Sequence, residues 1–589
     1  NLDVVAYVPR LVTQTFRGAE RLVLEQFRRV REGEFDDATF VALKEALITE
    51  QKERWEDNRE RALAMGHAFV ARGGWDGYVR YLGQLRAVTR ADVMRVASER
   101  FGERHLVVRS RMGFPKKTRL DKPDYPPVDP PRGKHSPFFE AMRARPKPAP
   151  RVELVDPRTD LATRTLGPGN TLTAANNPFN DIYQLELRFG VGNDSIRELD
   201  VLAQYLQRIG TTAHSPDEFR RQLFGLSTTL EVETTLDRFV VRLRGPQANL
   251  PRALELVAAL MKEPRAERRP LRQVRREIWG FRRIERKDAV NVGKALRDHV
   301  LYGDDSPFHR EHGPWGARML GPTRLFDAWA RVQTRGVEVH YVGQGRVEDV
   351  AAVVSERLPL SQEPRPLKPR VVHARRLPAE TTVYFVPRRD AVQTQLWFAV
   401  EGDPVRRPEV PAANAFGEYF GGSMAGLVFQ EIREFRALAY SAKAAYPLDP
   451  NVYQRGHLLG YVGCQADKTV EALDVMVGLI TKMPRRPDRL AAVEGALVRS
   501  QETASPEFRE LPLAVGEWRA RGYGEDPRRW LLPAYEDLEF EDIEQFYAAH
   551  VEGRPLAIMV VGDPRKVKAE DLRKYGKLVR VREGALYSK

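Results

Sequence analysis

The chain has 589 residues, with 95 Lys and Arg against 81 Asp and Glu, a net charge of +14 and a single cysteine. Its 42% hydrophobic and 30% charged residues fit folded domains rather than disorder, and the length predicts about three or four of them. One cysteine excludes an intrachain disulfide framework, and no apolar run approaches the roughly 20 residues of a membrane helix. We therefore expect a folded multidomain protein with no membrane span.

The first part of the chain carries the end of an α/β unit. It starts at Asn1 without an initiator Met or a signal-peptide pattern. Residues 74–110 contain two helix-like segments, GWDGYVRYL and VTRADVMRVASERF, followed by the strand-like HLVVRS. Ten prolines then fall within residues 112–150, and this composition predicts an extended interdomain linker.

The rest of the chain contains two similar halves, divided by a Pro-containing break at residues 358–369. YQLELRFG at residues 183–190 alternates with period two and enters a Gly/Asn/Asp turn, and TQLWFAVE at residues 394–401 does the same 211 positions later. Each turn leads to an apolar helix pattern, at residues 200–209 and 411–420. A strand, turn and helix repeated at constant spacing indicate a duplicated α+β domain.

The end of this unit occurs three times, at residues 74–110, 314–343 and 523–562, whereas its beginning occurs twice. The simplest account is that the chain is the C-terminal portion of a larger repeat protein and that its first domain is truncated. The alternative is a divergent first domain that never had a leading strand and helix. The predicted segments are the C-terminal part of a second family-type domain (1–111), a Pro-rich linker (112–150), a third domain (151–369) and a fourth domain (370–589).

A family resemblance enters at residues 421–440, which read GGSMAGLVFQEIREFRALAY. This segment resembles the glycine-rich segment of the pitrilysin, insulinase and mitochondrial processing peptidase family. The YGEDP at residues 523–527 and YGKLVRV at residues 575–581 are also similar to that family. The resemblance implies an α+β fold of repeated sheet-and-helix sandwich domains. Four of them form two clamshell halves around a peptide, and the first carries zinc on an inverted H-x-x-E-H motif.

The zinc motif itself is missing from this sequence. Gln204, Gln207 and Arg208 fall where the family has His, Glu and His, and residues 415–419 (AFGEY) at the equivalent place in the fourth domain are also ligand-free. Amides are poor zinc ligands and a guanidinium repels the metal. We therefore expect no metal site in this chain, and we expect zinc on a missing N-terminal portion or on a partner subunit.

The family pattern does carry over at Arg433 and Tyr440, which keep the seven-residue spacing of the substrate-holding pair of catalytic relatives. The resemblance implies that Arg433 holds a substrate carbonyl and that Tyr440 donates a hydrogen bond near the scissile bond. Gly421 and Gly422 are expected to let the backbone approach the neighbouring half. The structural alternative is that Arg433 pairs with a neighbouring glutamate while Tyr440 fills a core.

For the other candidate residues we favour structural rather than functional roles. The arginine-rich residues 268–286 lack any nucleic-acid-binding motif, so no nucleic-acid partner is predicted. His309 and His312 lie in a loop by their flanking prolines and glycine, where their spacing enforces no metal geometry. Glu277 is expected to pair with arginines, and Cys464 to be a small buried side chain in an apolar strand.

The sequence thus predicts the C-terminal, non-metal portion of a zinc metalloendopeptidase that encloses and cleaves peptides or unfolded proteins in a closing chamber. Alone, this chain should be inactive as a protease. The alternative is a catalytically inactive homologue that acts as a scaffold or assembly subunit. Resemblance to large secreted relatives favours a bacterial periplasmic location.

Overall fold

The computed structural model describes residue 4 and residues 15–71, 73–102, 105–109, 135–146, 152–367, 371–449, 451 and 453–588. The chain forms two compact units, residues 1–151 and residues 152–589, which are described separately. Within the described ranges, no helix is both long and apolar enough to cross a bilayer.

The first unit is helical throughout its described part. Its helices are α1 (Phe16–Arg31), α2 (Asp37–Arg54), α3 (Asn58–Val70), α4 (Gly74–Ala87), α5 (Arg90–Arg100) and α6 (Pro137–Arg143). Helix α1 packs against α5, where Phe27 stacks on Phe101 with ring centroids 4.8 Å apart. Tyr78 on α4 accepts hydrogen bonds from Gln51 and Trp55, both at 2.8 Å. These side-chain contacts join neighbouring helices of the unit.

Two predictions for this unit differ from the structure. The strand-like HLVV segment, residues 105–108, is in no strand, and Leu106 and Val108 are 88% and 83% exposed; its predicted end, residue 110, lies outside the described residues. A strand needs hydrogen-bonding neighbours, and the described part of this unit supplies none. Residues 137–143 of the predicted extended linker form helix α6, because Ser136 caps the Phe139 N–H and proline is favourable in the first helical turn.

The second unit contains the two predicted α+β copies. The elements of the first copy are β1 (Leu161–Gly167), β2 (Asn170–Asn176), β3 (Ile182–Phe189), α7 (Leu199–Leu206), α8 (Pro216–Gly225), β4 (Thr229–Thr234), β5 (Phe239–Pro246), α9 (Leu250–Lys262), α10 (Arg268–Glu285), α11 (Ala289–Tyr302), α12 (Pro307–Arg310), α13 (Pro314–Met319), α14 (Pro322–Gln333), β6 (Val337–Gly343) and α15 (Val347–Arg357). Those of the second copy are β7 (Thr382–Pro387), β8 (Gln393–Glu401), α16 (Val410–Gly417), α17 (Leu427–Phe429), β9 (Ala439–Ala445), β10 (His457–Gln465), α18 (Thr469–Thr481), α19 (Leu490–Thr503), α20 (Leu511–Ala520), α21 (Arg528–Glu536), α22 (Phe540–His550), β11 (Leu556–Gly562), α23 (Ala569–Leu572) and β12 (Lys577–Arg580).

Each copy forms a six-stranded sheet, and five strands of each share one topology. The sixth differs, because β1 pairs antiparallel with β2 whereas β12 pairs parallel with β7. The strand orders are β1-β2-β6-β3-β5-β4 and β12-β7-β11-β8-β10-β9. In each, the second and third strands are parallel and the next three pairings are antiparallel. The α+β fold of repeated domains is therefore confirmed. Strands β4 and β9 occupy equivalent edges of the two sheets.

Each copy packs one of its helices on the sheet of the other copy. Helix α11 of the first copy places Val292 and Leu296 against Trp397 and Met559 of the second sheet. In return, α20 of the second copy packs Val515 on the first sheet. Because each sheet buries its second face under the other copy's helix, the copies form one compact unit.

A buried ion pair fastens the start of this unit to the second copy. Asp526 and Arg528 are 0% and 3% exposed at the side chain and lie 2.6 Å apart. Asp526 Oδ2 accepts the Val155 N–H at 2.9 Å, and Arg528 Nη2 donates to the Glu153 carbonyl at 2.9 Å. Residues 153–155 are thus held by both partners of one pair.

Candidate functional site

The glycine-rich segment forms a backbone layer directly behind edge strand β9. Helix α16 passes into one π-helical turn, Glu418–Gly422, where the sequence pattern predicts a continuous helix to residue 420. A Cβ on Gly421 would come within 2.6 Å of the Ala444 nitrogen on β9. Neither Gly421 nor Gly422 has positive φ, so close packing rather than a left-handed turn explains Gly421. The close approach is made to β9 of the same sheet, and the approach of this backbone to the neighbouring half stays a prediction.

Arg433 lies in a second π-helical turn, Gln430–Glu434, and points along the surface. Its guanidinium lies over the Phe429 and Tyr440 rings, at 4.7 and 4.9 Å from their centroids. Its Nε is 3.5 Å from Glu434 Oε1, and the side chain is 37% exposed. The aromatic faces orient the cation, and its outer N–H groups remain accessible to a ligand.

Tyr440 stands at an irregularity near the start of β9. The register between β9 and β10 shifts so that Gly463 pairs with Ser441 and Cys464 with Ala439, which leaves Tyr440 without an opposite residue. Bulges of this kind redirect side chains and often occur beside functional sites. Tyr440 is 79% exposed, and its neighbour Ser441 also faces outward.

The turn between the two residues has an unusual backbone. Ala437 has φ of +50°, a left-handed conformation that costs about 1–2 kcal/mol for a residue with a side chain. Its N–H donates to the Arg433 carbonyl at 3.1 Å, and the Leu438 N–H donates to the Ile432 carbonyl at 2.9 Å. These bonds close the loop that brings Arg433 over the Tyr440 ring.

The alternative, in which Arg433 pairs with a neighbouring glutamate and Tyr440 fills a core, agrees with the structure only in part. Arg433 does lie beside Glu434, but Glu431 pairs with Arg436 instead. Tyr440 does not fill a core, because most of its side chain is in solvent. The structure therefore brings Arg433 and Tyr440 together on the surface, with Gly421 holding the strand behind them.

The sequence pattern misses the apolar surroundings of this pair. Met424 and Phe435 are 72% and 65% exposed on the same segment. An open hollow of about 280 Å³ lies in the same segment but is lined by other residues, namely Glu418, Tyr419, Ser423, Ala425, Gln430, Arg489, Ala492 and Val493. Exposed apolar side chains around a polar pair are typical of a peptide-contact surface. Only Phe435 has a signal of exposure in the sequence, since it lies between Glu434 and Arg436.

The degenerate zinc position lies at the end of α7, and its side chains are already engaged. Gln204 Nε2 donates to the Asp200 carbonyl at 3.4 Å, and Gln207 Nε2 donates to the Val232 carbonyl of β4 at 2.9 Å. Arg208 forms an ion pair with Glu277 of α10, with Nη2 and Oε2 2.7 Å apart. Glu277 thus pairs with an arginine, and that cation occupies the place where the family has a second histidine.

These residues do not fit a zinc ion. A guanidinium held beside Glu277 opposes a second cation, and both amides are turned to backbone carbonyls. No group of three or more His, Cys, Asp or Glu side chains in the described ranges converges on a common point. His309 and His312 also bind different partners and do not form one site. His309 contacts His299 at 3.3 Å, whereas His312 is buried, not in a solvated loop, and bonds Asp200 at 2.9 Å.

Cys464 is 1% exposed on β10, as a small buried side chain. Burial raises the pKa of its thiol to about 11, although a hydrogen-bond contact with Thr469 opposes the shift. A thiol with this pKa is not a nucleophile at neutral pH.

The second unit thus consists of two duplicated sheets, with an exposed arginine and tyrosine placed together at the edge of the second sheet. Residues 338–484 match the sequence model of a family described as the peptidase M16 inactive domain. The resemblance drawn from residues 421–440 is thereby confirmed, since these residues lie within a part of the chain that is similar to the inactive domain of this peptidase family. No curated protein matches the chain significantly.

Several solved structures share the fold at low sequence identity. A peptidase M16 inactive domain from Pseudomonas fluorescens is 17% identical with a TM-score of 0.55, covering 69% of this chain and 98% of that one. The periplasmic protease PqqL of Escherichia coli is 12% identical with a TM-score of 0.56, covering 93% of this chain and 63% of that one. The ferredoxin protease FusC, solved as a mutant in complex with Arabidopsis ferredoxin, is 12% identical with a TM-score of 0.54, covering 92% of this chain and 62% of that one.

Proposed function

We propose that this chain is the substrate-holding, non-metal portion of a zinc metalloendopeptidase that encloses peptides or unfolded proteins in a closing chamber. The zinc site would be carried by an N-terminal segment or a partner subunit. The observation that carries the proposal is the exposed pairing of Arg433 and Tyr440 at the bulge of edge strand β9. Neither side chain has a burial role that would explain its position.

The two side chains offer complementary donors to a peptide backbone. Arg433 can donate charge-assisted hydrogen bonds to a carbonyl oxygen, and the Tyr440 hydroxyl can donate to an oxygen that gains negative charge. Because the Arg433 guanidinium rests on the Tyr440 ring at 4.9 Å, the two donors are positioned relative to each other before a peptide arrives. Met424 and Phe435 add apolar contact for neighbouring substrate side chains.

The exposed apolar residues of the first unit support the proposal that further α/β structure packs on it. Of its described apolar residues only four are buried, namely Ala42, Ile48, Ala68 and Ala97. Phe69 is 91% exposed, and Leu106 and Val108 are exposed in a segment that forms no strand. A helical layer with this composition normally covers a sheet. The proposed zinc-bearing half is the natural source of that sheet.

The contacts at the degenerate zinc position support a role in holding substrate rather than metal. Arg208 and Glu277 occupy the degenerate position as an ion pair, and the described residues offer no alternative ligand group. Peptide hydrolysis by the isolated chain is therefore not expected. A relative in this fold class, FusC, was solved together with a protein, ferredoxin. That observation supports a polypeptide rather than a small-molecule substrate.

The test is to isolate the natural assembly that contains this chain. Intact mass and peptide mapping would identify the polypeptide joined to it, and metal analysis with a quenched fluorescent peptide would measure zinc and hydrolysis. We expect one zinc-bearing polypeptide, hydrolysis by the assembly and none by the chain alone. An assembly without zinc and without hydrolysis would instead establish the scaffold function.

A further inference from the structure

Helix α10 carries an outward stripe of arginines that the substrate site does not use. Arg269, Arg272, Arg276 and Arg283, with Trp279, follow the spacing three, four, three, four on the face opposite the buried Leu271 and Val274. Of the five, Trp279 is 53% exposed, and the stripe as a whole lies on the outer side of the helix. Residues at this spacing share one helix face, and the fourteen helical steps from Arg269 to Arg283 span about 21 Å.

The stripe is not neutralised within the described part of the chain. None of its four arginines forms an ion pair with a described carboxylate, whereas Arg282 of the same helix pairs with Glu285 and Glu311. The two glutamates of α10 are engaged elsewhere, Glu277 with Arg208 and Glu285 with Arg282. Four cations on one face repel one another, and an opposite charge brought to them would relieve that cost.

Apolar side chains border the stripe. Trp279 stacks under the Arg283 guanidinium at 5.5 Å. Phe281 and Ile284 of the same helix are 75% and 68% exposed but lie off this face, since Phe281 is two residues from both Trp279 and Arg283. Helix α13 packs beside α10 and adds Trp315, which is 70% exposed. The surface therefore combines unpaired arginines with large exposed apolar groups, a combination that a solvated helix face does not require.

We propose that this face of α10 and α13 docks an acidic polypeptide segment of a protein partner or substrate. Guanidinium groups bind carboxylates in a two-pronged geometry, and the tryptophans give the partner apolar contact area. Charge complementarity identifies the acidic side chains as the recognised feature. The proposal does not depend on peptide hydrolysis, because binding here needs no zinc.

The composition favours a polypeptide over a nucleic acid or a membrane surface. Protein interfaces are enriched in Trp, Met and Arg and depleted in Lys, and this face has these three residue types, with Met319 74% exposed, but no lysine within α10 or α13. Sequence-independent polyanion binding rests on phosphate contacts from both Lys and Arg. Exposed apolar groups add nothing to those contacts unless bases stack on them.

The test is fluorescence anisotropy with the full chain and a labelled peptide rich in Glu, Asp and Phe. A matched peptide with Lys at each acidic position is the reference. The Arg276→Glu/Arg283→Glu variant should weaken binding of the acidic peptide about tenfold or more, and Trp279→Ala should also weaken it. The control is Arg573→Glu/Arg580→Glu, an equal change of charge at exposed residues outside this face, which should shift binding by less than about twofold.

Three outcomes would overturn the proposal. The acidic peptide does not bind more tightly than its Lys counterpart, or both double variants weaken binding equally, which would indicate net charge alone. In the third outcome, a single-stranded oligonucleotide or an anionic vesicle binds through the same arginines more tightly than the acidic peptide at equal ionic strength. Circular dichroism of each variant verifies that loss of binding is not loss of folding.

Discussion

Replacing Asp526 by Asn should strongly destabilise the chain. The substitution removes the negative partner of Arg528, whose side chain is 3% exposed and cannot recover its hydration. It also weakens the bond to the Val155 N–H that holds the start of the unit. Leaving a buried charge unpaired costs about 3–5 kcal/mol, so a large decrease in the urea midpoint is expected.

The chain supplies its own control for this change. Asp563 and Arg565 form the same Asp-Pro-Arg arrangement, with Arg565 Nε 2.9 Å from Asp563 Oδ1, but Arg565 is 69% exposed. Asp563→Asn should therefore have a clearly smaller effect, because water can solvate the released guanidinium. Urea denaturation followed by circular dichroism compares the two variants. Equal losses of stability would refute the argument that burial sets the magnitude.

The same pair predicts a pH dependence. Burial alone would raise the pKa of Asp526, but hydrogen bonds from Arg528 and from the Val155 N–H outweigh it and lower the pKa. A lowered folded-state pKa stabilises the protein above the unfolded value of about 3.9, and this contribution is lost as pH falls through the folded value. The difference between wild type and Asp526→Asn should thus shrink in acid. A difference that grows below pH about 4 would contradict this assignment.

Three further predictions concern the second sheet. Cys464 should not react with a disulfide reagent at a pH of about 8 in the folded chain, because its pKa is about 11 and it is buried; rapid native labelling would show otherwise. Ala437→Gly should raise the free energy of unfolding by about 1 kcal/mol, since glycine adopts the left-handed φ without strain, and a lower melting temperature would contradict this. Gly421→Ala should cost about 1–3 kcal/mol because its Cβ meets Ala444, whereas Gly478→Ala, with open space in α18, should gain about 0.5–1 kcal/mol; equal effects in thermal melts would remove the packing argument.

The sequence predicts the repeated architecture well because that architecture rests on local patterns. The alternating segments at residues 183–190 and 394–401 are strands β3 and β8, within one residue at each end. Their equivalent positions in the two sheets follow from the constant offset between the copies. The strand-like segment before residue 110 fails, because strand formation depends on neighbours that its own residues do not encode.

The geometry of the candidate site depends on non-local features. The bulge at Tyr440 arises from pairing between β9 and β10, and the π-helical turns that follow α16 and α17 both pack against β9, so neither has a pattern in the single sequence. The pairing of Arg208 with Glu277 joins helices that lie far apart in the chain. The family resemblance of residues 421–440 predicted which residues are candidates, and only the fold shows that Arg433 lies over Tyr440.

The central claim is that Arg433 and Tyr440 hold substrate, and kcat/KM of the natural assembly for a fluorogenic peptide tests it most directly. Arg433→Ala and Tyr440→Phe should each lower kcat/KM by about 10- to 1,000-fold while the melting temperature stays unchanged. The matched controls are Arg436→Ala, beside Arg433, and Tyr453→Phe, at another exposed tyrosine, and they should remain within about twofold. Unchanged kcat/KM in both site variants, in an assembly that hydrolyses the peptide, would contradict the account.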